Sequence, residues 1–143
     1  MKKRIVCFGD SNTWGYIPIT GERYDESIRW PARLQEKLGY QDYTVVEEGL
    51  TGRTTVFDDP FDPELNGLKT MPAVLRSAAP IDVLVFMLGT NDSKTRYGVS
   101  AEEIGFGMQE LIQRIETFFR YNAGRAGACP RILIISPVPM PHT

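Results

Sequence analysis

The sequence predicts an α/β fold, in which helices cover both faces of a doubly wound parallel sheet. One observation is a series of short runs rich in Ile, Val and Phe with almost no polar alternation, a pattern typical of strands buried on both faces. Another is that segments with helical spacing separate these runs. A length of 143 residues, with 42% apolar and 24% charged side chains, is ordinary for one globular domain, so we expect a single domain over residues 1–143.

Each predicted strand is an apolar run that ends at a turn signal such as Gly-Asp or a proline. The predicted strands cover residues 4–8, 43–47, 81–88 and 131–136. The predicted helices cover residues 31–38, residues 68–79 and a segment that opens with a capping box formed by Ser100 and Glu103. This order predicts three layers (α/β/α) of the flavodoxin-like type. No helix follows the fourth strand, and we therefore expect that the chain is truncated after it.

The stretch between residues 51 and 66 is the least regular, and we predict that it is an excursion loop. Its aspartates Asp58, Asp59 and Asp62 suggest a cation site, but two neighbouring prolines favour solvated turn carboxylates. We therefore expect no metal in this loop.

Charge and cysteine content exclude several classes of protein. Sixteen Lys and Arg against eighteen Asp and Glu leave a net charge of −2 without any block of like charge, so we expect neither nucleic acid nor membrane as a partner. Cys7 and Cys129 are too few for a disulfide framework or a zinc site, and we expect Cys7 to be a buried thiol.

No run approaches the ~20 apolar residues of a membrane span, and the run after Arg4 is too short for a signal peptide. We expect a cytoplasmic protein.

Polar segments follow the first three predicted strands. In an open parallel sheet, ligands bind beyond the carboxyl ends of the strands, so these segments are where a site is expected. They offer a serine hydroxyl near a helix start (Ser11), a glycine whose N–H can be approached closely (Gly52) and an asparagine amide (Asn91). A nucleophile with two hydrogen-bond donors around it is what acyl transfer needs.

Three motifs in these segments resemble those of one known family. Phe8-Gly9-Asp10-Ser11, Gly49-Leu50-Thr51-Gly52 and Gly89-Thr90-Asn91-Asp92 stand in the order found in the SGNH hydrolases, also called the GDSL-like lipases and esterases. Longer matches, including Asp58-Asp59-Pro60, look like the arylesterase and acyltransferase branch of that family. The resemblance covers essentially the whole chain, residues 4–142.

The resemblance implies a role for each matching position. Ser11 would be the nucleophile, and the oxyanion would be held by the backbone N–H groups of Ser11 and Gly52 and by the amide of Asn91. Asp10 would hold the loop. The substrate pocket would include Asn12, Trp14, Thr90 and Lys94. No metal or organic cofactor is implied.

The implied reaction is hydrolysis of small carboxylic esters through an acyl-enzyme. In the branch that this chain looks like, an alcohol or peroxide can replace water, so acyl transfer is implied as a second reaction. The implied partners are a small ester substrate and, since relatives in this branch self-associate, further copies of the chain.

One block of the family is not matched. The SGNH hydrolases have Asp-x-x-His near the C-terminus, which supplies the base and its orienting aspartate. The single histidine here is His142, and Pro139 stands three residues before it. A catalytically inactive fragment or a ligand-binding module on the same fold therefore stays open as an alternative. Nucleotide binding is disfavoured because neither Gly-x-Gly-x-x-Gly nor a Walker sequence is present.

Each site residue also has a purely structural interpretation. Ser11 would make a good helix N-cap, Gly52 an ordinary turn residue and Asn91 the start of an Asx-turn. The presence of all three, each just after a predicted strand, favours the catalytic interpretation.

Overall fold

The computed structural model describes residues 1–139, and its centre is a four-stranded, wholly parallel sheet with the order β2-β1-β3-β4. The strands are β1 (Lys3–Gly9), β2 (Tyr43–Gly49), β3 (Val83–Met87) and β4 (Arg131–Ile134). The first strand lies inside the sheet and the chain winds outwards from it in both directions, so the predicted doubly wound α/β fold is confirmed.

Four α-helices accompany the strands within the described residues. They are α1 (Ser11–Trp14), α2 (Trp30–Leu38), α3 (Gly67–Ala78) and α4 (Ala101–Ala126). The capping box of α4 forms as predicted, because the Glu103 N–H donates to Ser100 Oγ at 3.2 Å and the Ser100 N–H donates to Glu103 Oε2 at 2.6 Å. None of the helices within residues 1–139 is both long and apolar enough to cross a membrane.

The helices lie on both faces of the sheet, which gives the predicted three layers. Alternate strand residues point to opposite faces. Val6 and Leu84 share one buried cluster with α3 and α4, while Cys7 and Val85 belong to a second cluster that α2 covers. Cys7 is fully buried as predicted, and burial raises the pKa of its thiol to about 12.

The segment between residues 51 and 66 is a loop, as predicted, apart from a single 3-10 turn at Pro63–Leu65. Asp58 is exposed at the surface, where its carboxylate pairs with Lys69 at 2.8 Å. No cluster of His, Cys, Asp or Glu suited to hold a metal ion occurs in the described part of the chain.

The prediction of a solvated carboxylate is wrong for Asp59. Its side chain is buried, accepts a hydrogen bond from the Phe61 N–H at 2.9 Å, and pairs with Arg96 at 2.7 Å. The Tyr97 hydroxyl donates to the same carboxylate at 3.1 Å. The Asp59 side chain is buried because its loop folds back onto the segment that follows β3, which is a feature of the tertiary structure.

Candidate active site

Ser11 lies at the carboxyl end of β1, as the first residue of α1. The cap of this short helix is Asp10, whose carboxylate accepts a hydrogen bond from the Asn12 N–H at 3.0 Å. The alternative of Ser11 as the N-cap is therefore wrong, and its half-buried side chain is not needed to cap the helix. Burial raises the pKa of Asp10, although the hydrogen bond from Asn12 opposes the shift.

Two glycines allow α1 to lie directly on the ends of the strands. Gly9 and Gly49 are paired across β1 and β2. A Cβ added to Gly49 would overlap the backbone of Trp14, and one added to Gly9 would overlap the side chain of Thr13. The close approach of helix and sheet, and with it the place of Ser11, therefore requires glycine at both positions.

Gly52 lies in a tight turn just after β2. The Arg53 N–H donates to the Leu50 carbonyl at 3.1 Å, and Gly52 has a φ of +91°, which favours glycine. The Leu50 N–H in turn donates to the Gly9 carbonyl at 3.1 Å. The turn is thus joined to the end of β1, two residues before Ser11.

Asn91 is buried in the turn that follows β3. Its amide nitrogen donates to the carbonyl oxygen of Arg53 at 3.0 Å, so the side chain bridges two loops rather than closing an Asx-turn. An amide group carries two N–H donors, and this bond uses one of them. The structure therefore joins the segments that carry Ser11, Gly52 and Asn91 through a continuous series of hydrogen bonds.

Asp92 is a buried carboxylate next to Asn91 that the sequence analysis left without a role. Both of its oxygens accept from the Thr55 N–H at 3.1 Å, and the Thr55 hydroxyl donates to it as well. Burial raises the pKa of Asp92, while these hydrogen bonds oppose the shift. Asp92 thus provides a second link between the loops after β2 and β3. In the sequence, the signal that could have identified Asp92 was its position in the motif Gly89-Thr90-Asn91-Asp92.

Arg53 is the other residue at this edge that the sequence analysis did not single out. It is buried, and its Nη1 donates to the carbonyl oxygens of Gly9 at 2.9 Å and Glu48 at 2.5 Å. The one hint in the sequence was an arginine directly after Gly52, as the only charged residue between positions 49 and 57.

The four predicted pocket residues lie at the same edge of the sheet, in the segments after β1 and β3. Asn12 and Lys94 are exposed, whereas Trp14 and Thr90 are half-buried. The guanidinium of Arg23 lies 5.1 Å from the ring centroid of Trp14, and its Nε donates to the Trp14 carbonyl at 2.7 Å. Trp14 is therefore held in place by a cation from the following loop.

A cavity of about 450 Å³ lies elsewhere, between α2 and β2. Acidic side chains such as Asp25 and Glu47 line part of it, and Glu47 is paired with Arg29 at 2.9 Å. None of the predicted site residues lines this cavity. The candidate active site is instead the open edge around Ser11.

His142, the only histidine of the chain, lies outside the described residues. The described residues hold a serine in a helix-start position, a buried amide with a free donor and a glycine turn, all at one edge of the sheet. A hydroxyl with N–H donors around it is the set of groups that acyl transfer needs, as a nucleophile and as donors to an oxyanion.

Comparison with known proteins gives consistent results. The model of the GDSL-like lipase/acylhydrolase family matches residues 7–143. The structure of the native aryl esterase of M. smegmatis is 41% identical and has a TM-score of 0.88, with 98% of this chain and 67% of that chain covered. Est24, a carbohydrate acetylesterase from Sinorhizobium meliloti, is 39% identical with a TM-score of 0.87, over 99% of this chain and 68% of that one.

An acetylxylan esterase from Xylanibacter ruminicola is 29% identical over 145 residues, which is 95% of this chain and 28% of that protein. The chain thus spans about two thirds of the length of the similar solved structures and just over a quarter of this curated relative.

Proposed function

The chain belongs to the GDSL-like lipase/acylhydrolase family, and we propose that it is a serine esterase that hydrolyses small carboxylic esters through an acyl-enzyme on Ser11. The observation that carries this proposal is the hydrogen-bonded edge of the sheet. There the segment of Ser11 is linked to the turn of Gly52, and this turn is linked to the amide of Asn91.

In the proposed reaction, Ser11 Oγ attacks the ester carbonyl carbon and forms a tetrahedral intermediate. The carbonyl oxygen becomes an oxyanion, which accepts hydrogen bonds from the N–H groups of Ser11 and Gly52 and from the second N–H of the Asn91 amide. The intermediate collapses with loss of the alcohol, which leaves the acyl group on Ser11. Water then attacks the acyl-enzyme, releases the carboxylic acid and restores the hydroxyl.

The proton of Ser11 must pass to a base and from there to the departing alcohol. In the SGNH hydrolases that this chain resembles, the base is the histidine of an Asp-x-x-His block. His142 does not match that block. We therefore assign Ser11, Gly52 and Asn91 roles in the reaction and assign no residue of this chain the role of base.

For the substrate, we propose short acyl esters, in particular acetyl esters of sugars or phenols. This choice is supported by the names of the similar proteins, which are an aryl esterase, a carbohydrate acetylesterase and an acetylxylan esterase. Acyl transfer to an alcohol or peroxide, a cytoplasmic location and a homo-oligomeric state stay predictions.

The test uses the complete gene product, whose intact mass is first compared with 16.1 kDa. Hydrolysis of p-nitrophenyl acetate and of an acetylated sugar is measured for the parent protein, Ser11→Ala and Ser77→Ala. Ser77 is an exposed serine in α3 and is the matched control. We expect Ser11→Ala to lower kcat by roughly six orders of magnitude and Ser77→Ala to leave it unchanged.

Unchanged hydrolysis by Ser11→Ala would show that Ser11 is not the nucleophile and would overturn the proposal. A parent protein that binds these esters at equilibrium without cleaving them would support the ligand-binding alternative instead.

A further inference from the structure

The side chain of Arg53 joins the carboxyl ends of two strands. Its Nη1 donates to the carbonyl of Gly9, the last residue of β1, and to the carbonyl of Glu48 in β2. One nitrogen with two N–H groups thus bridges both strands where they leave the sheet. Gly9 is two residues before Ser11, so this bridge lies directly beside the proposed nucleophile.

The guanidinium is buried against an aromatic ring. It lies 3.9 Å from the ring centroid of Phe8, which is itself buried and packs edge-to-face on Phe86 at 5.4 Å between ring centroids. Burial lowers the pKa of Arg53 to about 10, and the charges of Glu48 and Asp10 oppose the shift. The side chain therefore remains a cation at neutral pH, fixed between an aromatic ring and two carbonyl groups.

The backbone of the same residue contacts the other two parts of the proposed oxyanion site. The Arg53 N–H closes the turn that contains Gly52, and the Arg53 carbonyl accepts the hydrogen bond from the Asn91 amide at 3.0 Å. Arg53 is consequently in contact with the end of β1, with the turn after β2 and with the Asn91 amide after β3. A displacement of Arg53 would move the turn of Gly52 and the amide of Asn91 relative to Ser11.

We propose that Arg53 is a positioning residue for the oxyanion site, in which its buried side chain anchors the Gly52 turn to the end of β1 and its carbonyl orients the Asn91 amide. This inference rests on the proposed esterase function. It adds a residue that touches neither the substrate nor the nucleophile and acts through Asn91 and Gly52.

The chemistry of the site favours arginine over other cations. A guanidinium is planar, so it can stack on the Phe8 ring, and it donates hydrogen bonds in fixed directions. A lysine ammonium is instead a strongly hydrated point charge. We expect Arg53→Lys to keep the charge and lose the double bridge. Arg53→Met would keep the apolar contact with Phe8 and lose the charge and both hydrogen bonds.

Arg4, a residue of β1, provides a matched control. Its Nη1 donates to the carbonyl of Ala78 at 2.7 Å, so it also ties β1 to a neighbouring element through a backbone oxygen. It lies near the opposite, amino-terminal end of β1. If Arg53 only stabilises the fold, Arg53→Met and Arg4→Met should behave alike.

The first experiment is a double-mutant cycle on the complete gene product, with kcat and KM measured for ester hydrolysis and the fold checked by circular dichroism. We expect Arg53→Met to lower kcat by about 10²-fold, close to the loss of an oxyanion donor, with KM changed by less than about threefold. In an Asn91→Ala background the same substitution should lower kcat by less than about tenfold, because one of the two groups that Arg53 positions is already gone and only the Gly52 turn can still be displaced. Arg4→Met should leave kcat within about twofold in both backgrounds.

Arg53→Lys keeps the test decisive if Arg53→Met does not fold, and we expect an intermediate loss of kcat from it. Equal losses in the parent and in the Asn91→Ala background would overturn the proposal, since they would show that Arg53 does not act through Asn91.

The second experiment does not depend on catalysis. The side-chain amide signals of Asn91 are identified by their disappearance in Asn91→Ala and are then compared by NMR between the parent, Arg53→Lys and Arg4→Met. We expect these signals to shift in Arg53→Lys and to stay in place in Arg4→Met. Unshifted signals in Arg53→Lys would overturn the positioning role, whereas a parent protein without esterase activity would overturn only the proposed function.

Discussion

The centre of the sheet and its carboxyl edge both contain buried side chains, but the buried side chains differ in chemical type. The centre is apolar: Val6, Leu84 and Phe86 of the sheet pack with Leu111 and Ile115 of α4. The edge is polar or charged and includes Asp10, Arg53, Thr55, Asn91 and Asp92. In the centre, stability depends on filled volume, whereas at the edge each group depends on a particular hydrogen-bond partner.

This difference indicates that the polar edge is less favourable for stability than the apolar centre. Burying a polar group costs free energy unless a partner satisfies it, and an apolar edge would avoid that cost. Paired polar groups of this kind hold one geometry, which is what an oxyanion site requires. The comparison predicts that substitutions in the centre change stability and leave kcat alone, and that substitutions at the edge lower kcat more than stability.

Leu84→Ala probes the centre, and we expect the largest loss of stability from it. Removal of this fully buried side chain should lower the free energy of unfolding by about 2–5 kcal/mol, measured by urea denaturation. The control is Ile28→Ala in the loop before α2, where the side chain is 55% exposed, and its loss should be below about 1 kcal/mol. A kcat of folded Leu84→Ala more than tenfold below the parent would contradict the separation of centre and edge.

Asn91→Ala probes the edge. Loss of the oxyanion donor that we propose for Asn91 should lower kcat by about 10²–10³-fold, which is about 2.7–4 kcal/mol of transition-state stabilisation. The control is Asn122→Ala in α4, because the Asn122 amide also donates to a backbone carbonyl, that of Phe118 at 2.9 Å, and lies outside the site. Similar kcat values for the two variants would argue against a role of Asn91 in the reaction.

Ser100→Ala tests a local feature that belongs to neither region. Loss of the cap should reduce the free energy of unfolding by about 1 kcal/mol and leave kcat unchanged. Ser77→Ala, at an exposed position inside α3, should cost no stability because alanine is a good helix former. The cap would be shown to contribute nothing if both variants unfolded at the same urea concentration.

Asp59→Asn gives the smallest expected effect, and that effect depends on pH. Hydrogen bonds from the backbone N–H groups of Phe61 and Asp62, with help from Tyr97 and Arg96, hold the pKa of the Asp59 carboxyl below its ordinary value of 3.8. Its contribution to stability is therefore present above that value and is lost as the pH falls through the lower pKa of the folded state.

We accordingly expect Asp59→Asn to unfold at lower urea concentration than the parent at pH 7, and the gap to narrow below about pH 4. Asp62→Asn, at an exposed position of the same loop, serves as the control. A gap that stays constant between pH 7 and pH 3 would show that the ionised carboxylate contributes nothing.

Local patterns were sufficient to predict the strands and three of the helices, and they indicated the edge of the sheet at which we propose the site. Apolar runs identified the strands to within a few residues at each end, and Ser100 with Glu103 identified the start of α4. These signals are local because strand and helix periodicity and caps act between residues at most a few positions apart. The site could be placed at one edge because parallel strands all end on the same side.

What the tertiary structure decided is which side chains meet at that edge. The hydrogen-bonded partners Arg53 and Gly9 are 44 residues apart, Asn91 and Arg53 are 38 apart, and Thr55 and Asp92 are 37 apart. The burial of Asp59 likewise depends on Tyr97 and Arg96, in a segment that follows another strand. No local period encodes such pairs, because they form only when the packing of the sheet brings the loops together, and their burial then determines which polar groups need a partner.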